Sequence, residues 1–263
     1  MRITYRNKKN KNYWEERWSN IETDTVMQNE SIYPLKFALK MISKNDGKIL
    51  EAGCGAGRIL KYFHNKQHDI IGIDFIANAI EKLKTDDNGL KVFVDDIKSL
   101  KFNDEYFKYI LAFGLFHNLD QGLKESINES HRVLEKGGSI CVSFRADNIQ
   151  TKIVDFLEER KQKDRNKVNT KKFFHKMNLT KTEFKELFHK AGFEVKYIKP
   201  VENMPILYKF SFFRHRSHKI FNENLARKEG YKLSWFGFLI QKSLMTLMPY
   251  QFCNIYVLIA KKS

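Results

Sequence analysis

Between residues 47 and 145 short apolar runs alternate with helical stretches, and few architectures accept that pattern. Strands separated by single helices pair in parallel and are covered on both faces, which predicts an α/β fold. Strands are expected at 48–51, 69–74, 91–94, 109–113 and 139–144, with helices at 76–84 and about 121–134. Glu135-Lys136-Gly137-Gly138 reads as a turn before the fifth strand. Thr180 to Ala191 reads as a helix ended by Gly192, and strands follow at 193–198 and 254–260. A chain of 263 residues is long enough to bury such a sheet in one domain. Its parts are an N-terminal helical cap over 1–46, a core over 47–147, and a remainder over 148–263. The remainder carries insertions at 148–178 and 204–252, too long for simple connections and read as substrate-lid elaborations.

The turn after the first strand carries the chemistry. Glu51-Ala52-Gly53-Cys54-Gly55-Ala56-Gly57 is an acidic-x-Gly-x-Gly-x-Gly sequence between a strand and a helix. Glycine lets the chain turn sharply and lets a ligand approach the backbone with no Cβ in the way. The open end of a parallel sheet is where small cofactors dock. Dinucleotide enzymes space the same glycines as Gly-x-Gly-x-x-Gly, whereas here the third comes one residue early. Asp74 ends the second strand, where an acid either accepts hydrogen bonds from ribose hydroxyls or caps the next helix.

With its ordered companions, this turn resembles that of the class I, Rossmann-like S-adenosylmethionine-dependent methyltransferases. The likeness is closest to the group acting on small molecules, lipids and sugars. Leu50 to Gly57 resembles the family's first motif, and Gly72-Ile73-Asp74 its second-strand acid. Val94-Asp95-Asp96-Ile97 with Leu100-Lys101-Phe102 resembles the third-strand motif, and Phe107 to Leu119 the fourth strand and its exit. Arg132 to Gly138 resembles the turn before strand five, and Leu187 to Val195 the helix entering strand six. Order adds specificity that no single motif has. The resemblance implies a seven-stranded, mostly parallel sheet with helices on both faces and a lid elaboration. It also implies S-adenosylmethionine as methyl donor and S-adenosylhomocysteine as product. Gly53, Gly55 and Gly57 would line the methionine and ribose part of the donor, with Glu51 near its amino group. Asp74 would take the ribose hydroxyls with Phe75 alongside, and Asp96 the adenine amino group with Ile97 beside the ring. Phe113 would face the methionine portion. The family's fourth strand usually starts Phe-Asp, whereas this one starts Phe107-Lys108.

The donor arrives activated, so the protein mainly aligns the reactants and excludes water. The base for an oxygen nucleophile is His117 at the strand-four exit, which has a suitable ordinary pKa; alternatively it only packs or caps. Arg145 and Asp147, after strand five, either meet an acidic substrate group or pair with each other. Tyr13, Trp14 and Trp18 either cover the donor or form the apolar side of a helix packed on the core.

A net charge of +16 raises the question of a phosphate-bearing partner. Lysines are spread along the chain, and only short basic runs stand out: 6–11, 160–172 and 214–219. Trp235 to Ile240, with Leu244, Met245, Leu247 and Met248, is unusually apolar, suiting either lid core or a peripheral membrane contact. No window suits a signal sequence or a membrane span, so a cytoplasmic protein is expected. Cys54, Cys141 and Cys253 form no metal or disulfide pattern. The expected acceptor is a small molecule, or a sugar or glycolipid hydroxyl or amine. Nucleic acid is not expected: RNA or protein methylation is an alternative supported only by charge. A donor-binding relative without catalysis is a third reading.

Overall fold

A computed structural model describes residues 1–21, 23, 26–165, 171–221, 225–226 and 229–263. The expected strands appear as β2 (Ile49–Ala52), β3 (Ile70–Asp74), β4 (Lys91–Val94), β5 (Phe107–Ala112) and β6 (Leu134–Arg145). With β8 (Phe193–Val201) and β9 (Ile255–Lys262) they make a seven-stranded sheet, ordered β4-β3-β2-β5-β6-β9-β8. β9 runs antiparallel to both its neighbours, and the other pairings are parallel, giving the mostly parallel Rossmann-like sheet.

The apolar runs are continuous because both faces of these strands are covered. Leu50, Ile73, Ile110, Val142 and Leu258 face one buried cluster, whereas Ile49, Ile70, Leu111, Cys141 and Val257 face another. The covering helices include α3 (Arg58–Asn65), α4 (Ala77–Asp86), α5 (Leu123–Val133) and α7 (Lys181–Lys190). Thr180 and Glu183 form a reciprocal capping box at the start of α7, and Gly192 (φ +88°) follows its end.

Three expectations need correction. Glu135 to Gly138 is no separate turn: β6 runs through it, and pairing with β5 jumps from Phe107↔Leu134 to Tyr109↔Ser139. The extra residues bulge within one strand, with Gly137 at φ +72°. The first 46 residues are not all helical, since β1 (Arg2–Arg6) precedes α1 (Asn10–Asn20) and α2 (Leu35–Met41). The segment after strand five holds α6 (Ile149–Arg165) and β7 (Phe173–Asn178), and β7 pairs antiparallel with β1. Residues 166–170 of the basic run at 160–172 lie outside the described residues. The later insertion contains short 3₁₀ turns and α8 (Trp235–Leu247), among others. Among the described residues no helix is long and apolar enough to cross a membrane.

Candidate donor and acceptor site

The carboxyl ends of β2, β3, β4 and β5 open onto one cavity of about 750 Å³. That size lies within the range of small-molecule and cofactor sites.

The glycine turn forms its floor. Gly53, Gly55 and Gly57 have φ of +72°, +53° and +82°, a region that costs other residues strain. Gly53 and Cys54 donate their backbone N–H groups to Ile73 O at 2.8 and 3.0 Å, tying the turn to β3. At the end of β3 the Asp74 carboxylate is buried. Its Oδ2 accepts from Gly55 N and its Oδ1 from Ile76 N, both at 3.0 Å. It thus holds the glycine turn and the loop entering α4, with Phe75 as a further backbone partner, and a carboxylate's roughly four lone-pair sites leave room for a ligand. Burial raises its pKa against the lowering by these backbone donors.

Glu51, Phe75, Ile97 and Phe113 also line the cavity. Asp95 and Asp96 both reach it, but differently. Asp95 accepts from the backbone N–H of Asp96 and Lys101, whereas Asp96 caps only Lys98 N and pairs with the Lys98 ammonium. Both acids thus brace the loop, Asp95 through two backbone donors and Asp96 through one backbone donor and an ammonium. The cradle tests well for the donor: glycines without Cβ, a buried carboxylate with spare acceptors, and an acid beside an apolar Ile97. Sequence reading missed Tyr33, whose hydroxyl donates to Ser143 Oγ at 2.9 Å and whose ring meets Phe113 edge-on. Ser143 Oγ in turn accepts from Gly114 N at 2.8 Å, fixing the strand-four exit.

α1 lies across this cradle. None of its residues is buried, while Tyr13, Trp14, Arg17 and Trp18 line the cavity. A Cβ on Gly55 would stand 2.6 Å from the Trp18 ring, so the indole rests on the glycine turn. The helix thus covers the glycine turn and one side of the cavity. Lys82 holds it there by donating to the carbonyls of Trp18, Ser19 and Ile21 at 2.8, 2.8 and 3.0 Å. A cation at a helix C-terminus is favourable there. Lys82→Met is expected to raise the donor KM about fivefold, since such a contact contributes about 1 kcal/mol. Steady-state kinetics at varied donor tests this, and an unchanged KM would show that the cover does not depend on Lys82.

The opposite wall is polar and basic. His117 lines the cavity, packed near Phe144, and its Nδ1 has no hydrogen-bond partner among the described residues. Burial, with Lys176 and Arg145 nearby, pushes the imidazole down to about 3, so it is neutral and a weaker base than an ordinary histidine. Arg145 also lines the cavity. Its partners are Asn178 and Asp155, whereas Asp147 is bound to Arg2 at 2.7 Å and stands outside the cavity lining. Of the two alternatives for these residues, pairing with each other is ruled out, and only Arg145 lines the cavity.

Two further residues carried no sequence motif. Lys176, on β7, sits deep in the wall, and its ammonium makes no hydrogen bond or ion pair among the described residues. Burial and the Arg145 charge push it down to about 7. Glu202 accepts from Gln241 Nε2 at 2.6 Å, and burial pushes its carboxyl up to about 7. Cys54 and Cys141 are buried, with thiols pushed up by burial, and neither is poised as a nucleophile.

A methyltransferase-domain model matches residues 50–142. The chain is 33% identical over 96 residues to probable tRNA methyltransferase 9B of Bos taurus, covering 36% of this chain. The match spans only 20% of that protein's length, and the Homo sapiens counterpart is similar at 32% identity and the same coverage. Among solved structures, an S-adenosylmethionine-dependent methyltransferase from Methanosarcina mazei superposes with TM-score 0.58 and 19% identity, covering 88% of this chain and 98% of that one. A Haloferax volcanii protein solved in complex with the methyltransferase activator Trm112 gives 0.61 and 13%, covering 97% and 98%. The [4+2]-cyclase SpnF gives 0.57 and 14%, covering 97% of each chain, so the fold alone does not fix a reaction. Residues 50–142 thus match a methyltransferase-domain model, and the sheet topology is the Rossmann-like one.

Proposed function

We propose that this protein transfers a methyl group from S-adenosylmethionine to an oxygen or nitrogen of a small acceptor carrying an anionic group, free or as part of a glycolipid. One observation carries the reading: beyond the glycine cradle, the same covered cavity continues into a wall bearing Arg145, Lys176 and Glu202. A cavity of about 750 Å³ beneath α1 suits a donor and a compact acceptor better than a macromolecular surface.

When bound, the donor supplies a methyl group already activated on a sulfonium. Glu51, the three glycines, Asp74, Asp96 and Phe113 hold it in this reading. Lys176 and Arg145 receive the acceptor's anion, for which Lys176 has an uncommitted charge. The acceptor's proton passes to a nearby base. Glu202 suits that task better than His117, because a base works best with its pKa near the working pH. His117 then lies neutral beside the acceptor as a hydrogen-bonding group.

A pH dependence follows. Glu202 becomes a carboxylate as pH rises through about 7, and Lys176 loses its charge as pH rises through about 7. The profile of kcat/KM for the acceptor is expected to be a bell with its maximum near neutrality, its acid limb set by Glu202 and its alkaline limb by Lys176. Lys176→Arg, charged at all working pH, is expected to flatten the alkaline limb. An unaltered alkaline limb would remove Lys176 from acceptor binding.

The relatives named as tRNA methyltransferases and the net charge of +16 favour a second reading, an RNA acceptor. Transfer of labelled methyl from the donor into fractionated cell extract separates the two. Label in the polar-metabolite or glycolipid pool, indifferent to nuclease, is the expected result. Label in RNA, lost on nuclease treatment and weakened by salt, would overturn it.

A further inference from the structure

Among the described residues the most exposed large apolar side chains gather on α8 and the turns around it. Trp235, Phe212, Leu247 and Ile220 are 76%, 76%, 79% and 87% exposed, and Phe236, Phe238 and Leu239 are exposed beside them. The aromatic groups are contiguous: Phe213 touches Phe212 at 5.2 Å between centroids and stacks on Phe236 at 6.3 Å. α8 has no acidic residue, and only Gly237 and Gln241 on it are buried. On a helical projection its outward side carries Trp235, Phe236, Phe238, Leu239 and Leu247, with Lys242, Ser243 and Thr246 between them. A soluble helix ordinarily turns such a side toward a core.

The polar surroundings of this patch are cationic. Lys242 stands beside the Phe238 ring. Arg214 directly follows Phe213 and ties down the next turn by donating to Lys219 O at 3.2 Å, and Arg216 and Lys219 on that turn are exposed. Nearby Glu229 is occupied by Lys232 at 2.5 Å. A second copy of this chain would bring the same cations against these, whereas an anionic bilayer complements both the charge and the apolar face. At 13 residues α8 is about 20 Å long, too short to span the roughly 30 Å hydrocarbon core.

We propose that α8 and the turns bearing Phe212 and Lys219 form a peripheral membrane-binding surface, with α8 lying in the plane of an anionic bilayer. Trp235, Phe238 and Leu247 enter the acyl boundary, while Arg216, Lys219 and Lys242 meet the headgroups. This surface stands independently of the acceptor assigned above.

The test is sedimentation of the full chain with vesicles of phosphatidylcholine alone, or of phosphatidylcholine and phosphatidylglycerol in equal amounts. Binding is expected only to the anionic vesicles, weakening as salt rises. Trp235→Ser with Leu247→Ser is expected to lower the partition coefficient at least about tenfold, as for two large apolar groups kept in water. Arg216→Ala and Lys219→Ala are expected to lower it about fivefold each. All four side chains are exposed, and unchanged binding of S-adenosylhomocysteine verifies that the variants fold. Absence of binding to either vesicle, equal binding to both, or binding unaffected by the Trp235→Ser, Leu247→Ser pair would overturn the proposal. So would a concentration-dependent dimer abolished by that pair, which would assign the face to a second copy.

Discussion

Asp74→Ala is expected to weaken donor binding by about 1–3 kcal/mol, roughly five- to 150-fold in Kd, as for a buried polar partner removed from its donors. The carboxylate accepts from Gly55 N and Ile76 N, so truncation takes acceptors from both the glycine turn and the entrance to α4. On the proposed function it also takes away the acceptors for the ribose hydroxyls. Asp74→Asn keeps one acceptor oxygen and is expected to fall between wild type and Asp74→Ala. Titration calorimetry with S-adenosylhomocysteine reads the difference directly. Equal affinities for wild type and Asp74→Ala would remove Asp74 from the donor site.

Gly57→Val is expected to cost about 2–5 kcal/mol of stability, combining backbone strain with overpacking. Gly57 sits at φ +82°, and a Cβ there would stand 2.5 Å from Leu83 Cδ2, itself fully buried. In a domain of this size each kcal/mol lowers Tm by about 2–4 °C, so a fall of roughly 5–20 °C is expected. Gly114 makes the contrast, since its φ is +76° but a Cβ there meets nothing within 4 Å. Gly114→Ala is expected to pay strain alone and to lose clearly less. Thermal denaturation of the two variants checks this, and equal losses would contradict the contact with Leu83.

The glycine-turn half of the cavity was legible in the sequence because its parts are local. The turn, Asp74, Asp96 and Phe113 each lie at the end of a strand whose apolar run announces it. The basic half was not. Arg145 was singled out by its position after strand five, but Asp155 and Asn178, which hold it, lie on α6 and β7. Lys176 on β7 and Glu202 just after β8 stand singly, in segments with no motif. β1 and β7 escaped notice because their sequences, Arg-Ile-Thr-Tyr-Arg and Phe-Phe-His-Lys-Met-Asn, are polar and their register shifts between Thr4 and Tyr5. The bulge in β6 was misread for a related reason. Gly137 and Gly138 give the same local signal whether the chain reverses or loops out of a continuous ladder. Only the pairing of Tyr109 with Ser139 tells them apart.

The pairing of β1 with β7 sets a timetable. Asn178 Nδ2 donates to Arg2 O across 176 positions, and Thr4 sits opposite Lys176. The parallel strands β2 to β6 need only nearby sequence, whereas this ribbon must wait until both of its distant strands exist. On the ribosome, therefore, the glycine cradle and its strands have the material to assemble while residues 2–6 are still without a partner. The wall that carries Lys176 closes later, so the cavity's glycine floor has its material before its basic wall does.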